Sequence, residues 1–306
     1  MSILSPHVHP HEHRSPTDAA AYTRRLRLAL VLNASFFVVE LVGGLHTHST
    51  AILSDALHDF GDTLALGFAL YAQRLALRPA DGRYSYGYGR FSLLGALVTT
   101  LVLVLGSFII LREAVPHLWN APPVKTEGVF ALAVLGVVVN GVAALQLRKG
   151  QSLNERVAAL HLFEDVLGWV AVLVGAALMW TFGWRWIDPL LAVLIASYIL
   201  SSALRNLWKT LRVLLQAVPE QIDEDALRHA LTSAPQVAAV CDLHVWSLDG
   251  EYVVATVHLV LRHDLSLTEA AACRSDLRNR LQDLGVDHCT IELEFGSVGE
   301  AAPAQC

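Results

Sequence analysis

Residues 54–67 read SDALHDFGDTLALG, an apolar run interrupted by one histidine and three aspartates. His58 and Asp62 are spaced i, i+4, so their side chains lie on one face of one helix. The chain as a whole is apolar, with 54% hydrophobic and 16% charged residues and a mean hydropathy of +0.46. An ionisable group at bilayer depth is costly and marks a candidate functional site. This stretch therefore predicts a membrane-spanning helix that carries such a site.

The same spacing recurs in a second apolar run. Residues 158–172 read AALHLFEDVLGWVAV and place His161 and Asp165 at i, i+4. Together the two pairs offer two imidazole nitrogens and two carboxylates, a complete ligand set for a borderline-soft divalent cation such as Zn²⁺. Either pair alone could be a buried hydrogen bond that holds helices together. Two pairs at identical spacing in two spans favour a metal site.

These four groups also predict competition between metal ions and protons. Imidazole titrates near neutral pH, and metal ligands must lose their protons before they bind. An empty site leaves two unpaired carboxylates in the membrane, which is costly, whereas a bound dication cancels their charge. The ligand set therefore predicts exchange of a divalent cation for protons.

Six apolar runs indicate a multi-pass α-helical membrane protein, because most reach the roughly 20 residues needed to span a bilayer. We place them near residues 26–46, 51–73, 91–115, 127–147, 157–182 and 187–207. Lys and Arg cluster on alternate loops, so the positive-inside rule places both termini in the cytoplasm. We expect the membrane to be a bacterial inner membrane. This topology explains the basic residues, and nothing suggests nucleic-acid binding.

The last part of the chain reads as a small soluble domain. Residues 219–233 form an amphipathic pattern with acids in the first turn, and two alternating strands flank a hairpin signal at Asp249–Gly250. A second helix opens with a capping box, Ser266 and Glu269, and residues 286–295 alternate like a half-buried strand. The order helix–strand–strand–helix–strand predicts an α+β domain.

We therefore divide the chain into four parts: a flexible His-bearing cytoplasmic tail (1–24), a six-span transmembrane domain (25–210), a cytoplasmic domain (211–298) and a disordered C-terminus (299–306). The first part contains HVHPHEH. Short His-rich tracts gather metal weakly, and an uninvolved tail is the alternative interpretation.

Four segments carry a family resemblance that covers residues from about 25 to 296. SDALHDFGD matches an SDA-x-H-x-x-x-D segment, and NERVAALHLFEDVLGW matches a fifth-span segment of the same family. In the tail, WSLDGEYVVATVHL and HCTIELE match its cytoplasmic domain. By these motifs the chain resembles the cation diffusion facilitator family of zinc transporters.

The resemblance implies six spans followed by a ferredoxin-like (αββαβ) cytoplasmic domain. It places four side chains on the transport-site ligands: His58, Asp62, His161 and Asp165. It further implies a homodimer in lipid that exports Zn²⁺ from the cytoplasm in exchange for protons and has no catalytic residues. The same antiport of Cd²⁺, Co²⁺, Mn²⁺ or Fe²⁺ is the alternative.

Other acids near the ligands are candidate accessory residues. Asp59 and Glu164 stand where many relatives carry uncharged residues. They could relay protons, pair with each other, or supply oxygen ligands that suit Mn²⁺ or Fe²⁺. Asp55 shares a helix face with His58 and could orient its ring. Glu40 in the first span is either a structural hydrogen-bonding group or part of a proton path.

The loop after the second span has no histidine. Some relatives place histidines there to form an extra metal site, whereas this chain has Tyr84 and Tyr88 and leaves only Asp81. We therefore expect no metal in this loop.

The tail domain offers a possible structural or regulatory Zn²⁺ site. Three histidines fall where relatives bind metal: His244, His258 and His288. A strict two-residue hairpin would put His244 and His258 on opposite sheet faces, and a one-residue register change would bring them together. Glu292 or Cys289 could complete the site, and uninvolved surface histidines are the alternative.

Two other function classes fit the sequence less well. In an intramembrane zinc-dependent hydrolase, Glu164 would act as general base. Catalytic zinc keeps an open position, however, and four ligands already close this site. In a membrane-bound metal sensor the spans would be plain anchors, which have no need to bury four ligands.

Overall fold

The computed structural model describes residues 16–76, 78, 80–147 and 153–295. Some helical residues have side chains outside the described set: residues 16–26, 28, 73, 74, 76, 143, 146–147 and 153–162, His161 among them. The predicted C-terminal segment 299–306, and the predicted tail 1–24 apart from the backbone of its last residues, also lie outside it. Two compact units divide the chain: residues up to Arg74 with Val98–Leu204, and Leu75–Leu97 with the residues from Arg205 onward.

Six long helices precede a small α/β domain. The helices are α1 (Pro16–Thr47), α2 (Thr50–Ala76), α3 (Phe91–His117), α4 (Thr126–Leu147), α5 (Leu153–Phe182) and α6 (Ile187–Leu214). The domain consists of α7 (Glu224–Thr232), β1 (Val237–Ser247), β2 (Val253–Leu261), α8 (Leu267–Asp283) and β3 (His288–Phe295). The predicted order of its elements is confirmed.

Four helices of the described chain are long and apolar enough to cross a membrane. They comprise Ala29–Thr47, Phe91–His117, Phe163–Phe182 and Ile187–Leu214, and Thr126–Val142 is a shorter apolar helix. The aspartates Asp55, Asp59 and Asp62 lower the hydropathy of α2. The N-terminal part of the chain is therefore a helical transmembrane domain.

Two helices extend beyond the predicted apolar runs. Helix α1 begins at Pro16 rather than near residue 26, and α6 continues to Leu214 rather than residue 207. The added turns carry charged residues, including Lys209 and Arg212 of α6. Hydropathy marks the part of a helix that lies in lipid, whereas the backbone hydrogen bonds continue into water.

The helical unit has one dense apolar cluster, centred on Trp169 of α5. Its buried members are Ile52, Val129, Ala133, Trp169, Val172, Ala176, Met179 and Ile187. They lie at the beginnings of α2, α4 and α6 and in the second half of α5, so they share one end of the unit. Gly136 of α4 permits this packing, because a Cβ there would lie 2.1 Å from Trp169 Cδ2. Phe36 meets the same indole edge-on, with ring centroids 5.9 Å apart.

The C-terminal domain is a three-stranded sheet in the order β1-β2-β3, with one face covered by α7 and α8. Strands β1 and β2 are antiparallel, and β2 and β3 are parallel because α8 carries the chain back between them. Leu227 and Leu231 of α7 and Leu277 and Leu281 of α8 are fully buried against the sheet. The predicted capping box of α8 is confirmed.

The β1–β2 connection is longer than a two-residue hairpin. Ser247 pairs with Val253, and the connecting residues are held by Asp249, whose Oδ1 accepts from Glu251 N and Tyr252 N. Of the two registers considered from the sequence, the structure therefore has the one that is shifted by one residue from the strict hairpin. A further register shift lies between Cys241 and His244.

Candidate metal site in the helical unit

His58 of α2 lies between two carboxylates. Its Nε2 is 3.9 Å from Asp62 Oδ2 on the same helix and 3.7 Å from Asp165 Oδ1 on α5. The structure thus brings together three of the four side chains proposed from the sequence. His161 lies on α5 one turn before Asp165, and its side chain is outside the described residues.

The spacing of these atoms is close to that of metal ligands. Ligands of tetrahedral zinc at bond lengths of 2.0–2.1 Å lie about 3.3 Å apart, so both measured separations are a few tenths of an ångström longer. Within the part of the chain that the structure describes, no three His, Cys, Asp or Glu side chains are arranged tightly enough to hold a metal ion. His58 and Asp62 on α2 face Asp165 on α5, and we call the α2 pair and the α5 pair with His161 the two candidate half-sites.

The three side chains are partly accessible. The exposed fractions are 26% for His58, 30% for Asp62 and 17% for Asp165. Fully buried charges would be cut off from an incoming ion, and fully exposed ones would hold it weakly against water. Partial burial suits a site that takes up and releases its ion.

Additional acids lie beside the half-sites. Glu40 of α1 is buried, and Asp55, Asp59 and Asp165 act on it electrostatically. Asp55 is half-buried and interacts with His58, as expected from its position one turn earlier. Three of the proposed accessory residues, Glu40, Asp55 and Asp59, are therefore close to the candidate ligands.

Glu164 differs from the other proposed accessory residues because its side chain is exposed. It follows Phe163, which is also exposed. Asp59 is half-buried, and its backbone carbonyl accepts a hydrogen bond from Asn33 Nδ2 at 3.4 Å. The two carboxylates that distinguish this chain therefore occupy different environments.

Trp169 packs one turn after Asp165 on α5, a position not singled out from the sequence. It lies four residues after Asp165, which places both on one face of α5, and it is only 2% exposed. The indole is held between Gly136 of α4 and Phe36 of α1. The i, i+4 spacing from a ligand was the available sequence signal.

The loop between α2 and α3 uses Asp81 for its own structure. The Asp81 carboxylate accepts hydrogen bonds from Arg83 N, Tyr84 N and the Tyr88 hydroxyl at 2.8–2.9 Å. The bond from Tyr88 is the main cause that lowers the pKa of Asp81. The expectation that this loop holds no metal stays a prediction.

The tail histidines share one sheet face. His244 pairs with Thr256, two residues from His258, so the altered register puts both side chains on the face that α7 and α8 leave uncovered. His258 Nε2 lies 2.8 Å from Glu294 Oε2, an ion pair when the ring is protonated. His288 is the first residue of β3, and its ring centroid lies 6.2 Å from that of Tyr86.

The register also separates the two proposed completing ligands. Glu292 pairs with His258 and is exposed on the histidine face. Cys289 belongs to the buried face, and burial raises the pKa of its thiol. Cys289 is therefore not a ligand to the histidine face.

Relatives of known type match nearly the whole chain. The metal cation efflux system protein CzcD of Cupriavidus metallidurans is 36% identical over 300 residues, which cover 97% of this chain and 93% of that protein. The zinc transporter ZitB of Escherichia coli is 35% identical over 299 residues, covering 94% and 93%. The cadmium, cobalt and zinc/H(+)-K(+) antiporter of Bacillus subtilis is 31% identical over 281 residues, covering 90% of each chain.

Family models divide the chain in the same way as the fold. The cation efflux transmembrane domain matches residues 26–215, and the cytoplasmic domain of cation efflux proteins matches residues 219–295. The first match includes both half-sites, and the second includes the three-stranded sheet. The chain therefore belongs to the cation efflux family, also called the cation diffusion facilitators.

Proposed function

We propose that this protein exports divalent transition-metal cations, Zn²⁺ foremost, from the cytoplasm in exchange for protons. The observation that carries the proposal is the placement of His58 between Asp62 and Asp165, on two helices of a transmembrane domain. The E. coli relative is named a zinc transporter, and the B. subtilis relative an antiporter of metals against H(+) and K(+). These names describe transport rather than catalysis.

The ligand set consists of His58 and Asp62 from α2 with His161 and Asp165 from α5. A shift of a few tenths of an ångström between the helices brings His58 Nε2 and Asp165 Oδ1 to zinc-ligand spacing. Two neutral imidazoles and two carboxylates leave a Zn²⁺ complex without net charge. Neutrality lowers the cost of holding the loaded site within the membrane.

Protons drive release because they compete for the same atoms. Every ligand must be deprotonated to bind metal, and imidazole changes charge near neutral pH. Protons arriving from the far side displace the ion, and the neighbouring acids Glu40, Asp55 and Asp59 supply further carboxylates through which protons pass. The same cluster of acidic side chains therefore serves both the metal ion and the protons exchanged for it.

Alternating access follows from the uneven packing around the site. The buried cluster around Trp169 lies where α2, α4 and α6 begin, which is the external end if both termini are cytoplasmic. Residues 63–72 of α2, beyond the ligands, are half-buried or exposed. The described conformation is thus closed externally and loads from the cytoplasm, and rocking of the helices reverses this order.

We assign all six long helices as spans of a bacterial inner membrane, with cytoplasmic termini. At 1.5 Å per residue the 27 residues of α2 measure about 40 Å and the 22 residues of α4 about 33 Å, enough for a hydrocarbon core of about 30 Å. The C-terminal domain is assigned to the ferredoxin-like class because its β2–α8–β3 unit and its preceding hairpin follow that order. It joins two copies of the chain as a homodimer.

Two finer assignments extend the proposal. The B. subtilis relative is named for cadmium and cobalt as well as zinc, which supports a broader ion range as the second candidate. In the cytoplasmic domain, His244 and His258 form a weaker Zn²⁺ site on the uncovered sheet face, with Glu294 as the carboxylate.

Zinc flux into proteoliposomes under a pH gradient tests the proposal. We expect His58→Ala and Asp165→Ala each to abolish proton-driven flux, because each removes a ligand from one half-site. His229→Ala is the matched control, because the His229 side chain is exposed on α7, and this variant should retain flux. Proton-driven uptake that survives in His58→Ala would contradict the assigned site, and the same assay with Cd²⁺, Co²⁺, Mn²⁺ and Fe²⁺ measures the ion range.

A further inference from the structure

Asp188 is a buried carboxylate that the metal site does not use. It is the second residue of α6, and only 1% of it is exposed. Its Oδ2 accepts hydrogen bonds from Thr50 N at 2.7 Å, Thr50 Oγ1 at 2.9 Å and Ala51 N at 3.4 Å. Its Oδ1 accepts a hydrogen bond from the Ser49 hydroxyl. All these donors lie at the start of α2, the helix that carries His58 and Asp62.

The interaction satisfies the open end of α2. The first N–H groups of a helix have no partner within the helix and carry a partial positive charge. Ser49 satisfies one of them, since its Oγ accepts from Ile52 N at 3.2 Å. Asp188 satisfies two more from a different helix. A buried carboxylate with four donors at a helix N-terminus is electrostatically compensated.

The residues that Asp188 holds are themselves fixed. His48 ends α1 in the left-handed region with φ 56°, and Ser49 N donates to Gly44 O at 3.1 Å. Lys125 N, just before α4, donates to Thr47 O at 3.0 Å. The ends of three helices therefore meet beside the carboxylate, and α2 has little freedom to shift there.

The helix that carries Asp188, α6, also contacts α5, the helix of the second half-site. Helices α5 and α6 are joined by a short turn that contains Gly183 at φ 70°. They also pack closely, because a Cβ on Gly175 would lie 2.6 Å from Leu191 Cδ1. Any shift of α6 therefore moves α5, which carries Asp165. Asp188 thus connects the helix of one half-site to the helix pair of the other.

We propose that Asp188 is a positioning residue for metal binding, which sets the separation between the ligands of α2 and α5. The proposal rests on the assigned ligand set. Its physical reason is that His58 and Asp165 face each other across the two helices that this link holds. Groups that orient metal ligands typically change metal affinity 10–100-fold when they are removed.

The first test separates affinity from turnover. Asp188→Asn keeps the shape of the side chain but loses its charge. Its amide nitrogen cannot accept a hydrogen bond, so the donors that meet one of the two carboxylate oxygens lose their acceptor. In proteoliposomes we expect the KM for Zn²⁺ to rise about tenfold, with the maximal rate within about threefold of the parent. Calorimetric Zn²⁺ binding in detergent should show the same loss. An unchanged KM and dissociation constant would overturn the proposal.

A second variant distinguishes positioning from capping. Ser49→Asp in the Asp188→Asn background returns a carboxylate to the start of α2 without the link to α6. We expect this double variant to recover thermal stability but to keep the raised KM. Recovery of KM together with stability would show that Asp188 only caps α2 and would overturn the proposal.

The controls keep the test interpretable. Thr50→Val removes one hydrogen bond to Asp188 and replaces Asp188→Asn as the test variant if Asp188→Asn does not fold. We expect Thr50→Val to raise the KM for Zn²⁺ less than Asp188→Asn does. An unchanged KM in Thr50→Val would count against positioning. Ser54→Ala, one turn farther along α2, removes a buried hydroxyl outside the link and should leave KM unchanged. If His58→Ala binds Zn²⁺ normally, the ligand set is wrong. If only Asp188→Asn binds normally, the ligand set stands and this inference fails.

Discussion

At the scale of single residues, His58 is the side chain through which the proposed mechanism couples metal binding to proton binding. It is the side chain that meets carboxylates from both half-sites, at 3.9 Å and 3.7 Å. A protonated ring satisfies both carboxylates as an ion pair, whereas a metal ion requires the ring to be neutral. In the proposed mechanism the same three side chains therefore hold either a proton or a metal ion.

Glu164 gives a residue-scale prediction about selectivity. Because its side chain is exposed, we expect Glu164→Gln to leave the relative transport rates of Zn²⁺, Cd²⁺, Co²⁺ and Mn²⁺ unchanged within about twofold. The measurement is initial flux of each ion in proteoliposomes, with Asp62→Asn as the inactive reference. A narrowed ion range in Glu164→Gln would place this carboxylate among the ligands.

At the scale of elements, local sequence signals predicted the helices and strands, whereas contacts between distant residues determined the rest. The Ser266 capping box and the helix that carries His58 were predicted from local sequence. The register of β1 depends on a five-residue connection and a bulge, which local propensity does not specify. The link from Asp188 to Thr50 joins residues far apart in sequence and carries no local signal.

The contact between α4 and α5 gives an element-scale prediction. Gly136→Ala places a methyl group against the Trp169 ring, so we expect a loss of about 1–3 kcal/mol in stability. Thermal unfolding in detergent measures it. Gly141→Ala on the same helix meets open space and should stabilise the protein by up to about 1 kcal/mol. Equal effects of the two substitutions would contradict the packing.

The buried sheet face gives a second prediction, concerning thiol reactivity. Burial raises the pKa of the Cys289 thiol, so less thiolate is present at any given pH than in an exposed cysteine. We expect maleimide labelling of Cys289 to be at least about tenfold slower than that of Thr290→Cys, its exposed neighbour on β3. Labelling of Cys289 should keep rising above pH of about 8.5, the ordinary cysteine pKa. Mass spectrometry measures both rates, and equal rates would contradict the assigned face.

At the scale of the whole molecule, the helical unit and the C-terminal domain differ in how evenly their residues are packed. The helical unit is dense at one end and looser beyond the ligands, as a transporter with one closed side requires. The cytoplasmic domain instead has a continuous core between its sheet and its two helices. Composition predicted this division, because apolar runs stop near the end of α6. The asymmetry within the helical unit could not be predicted, since it depends on which faces of several helices meet.

Cysteine accessibility tests the asymmetry during transport. In a background without native cysteines, Ile52→Cys lies in the buried cluster and Gly67→Cys has open space beyond the ligands. For the metal-free protein we expect a water-soluble maleimide to label Ile52→Cys at least about tenfold more slowly than Gly67→Cys. Zn²⁺ with acid on the external side favours the opposite state, so labelling of Ile52→Cys should rise and that of Gly67→Cys should fall. Rates that do not respond to Zn²⁺ or pH would contradict rocking of the helices, because the two positions can exchange accessibility only if the cluster around Trp169 opens.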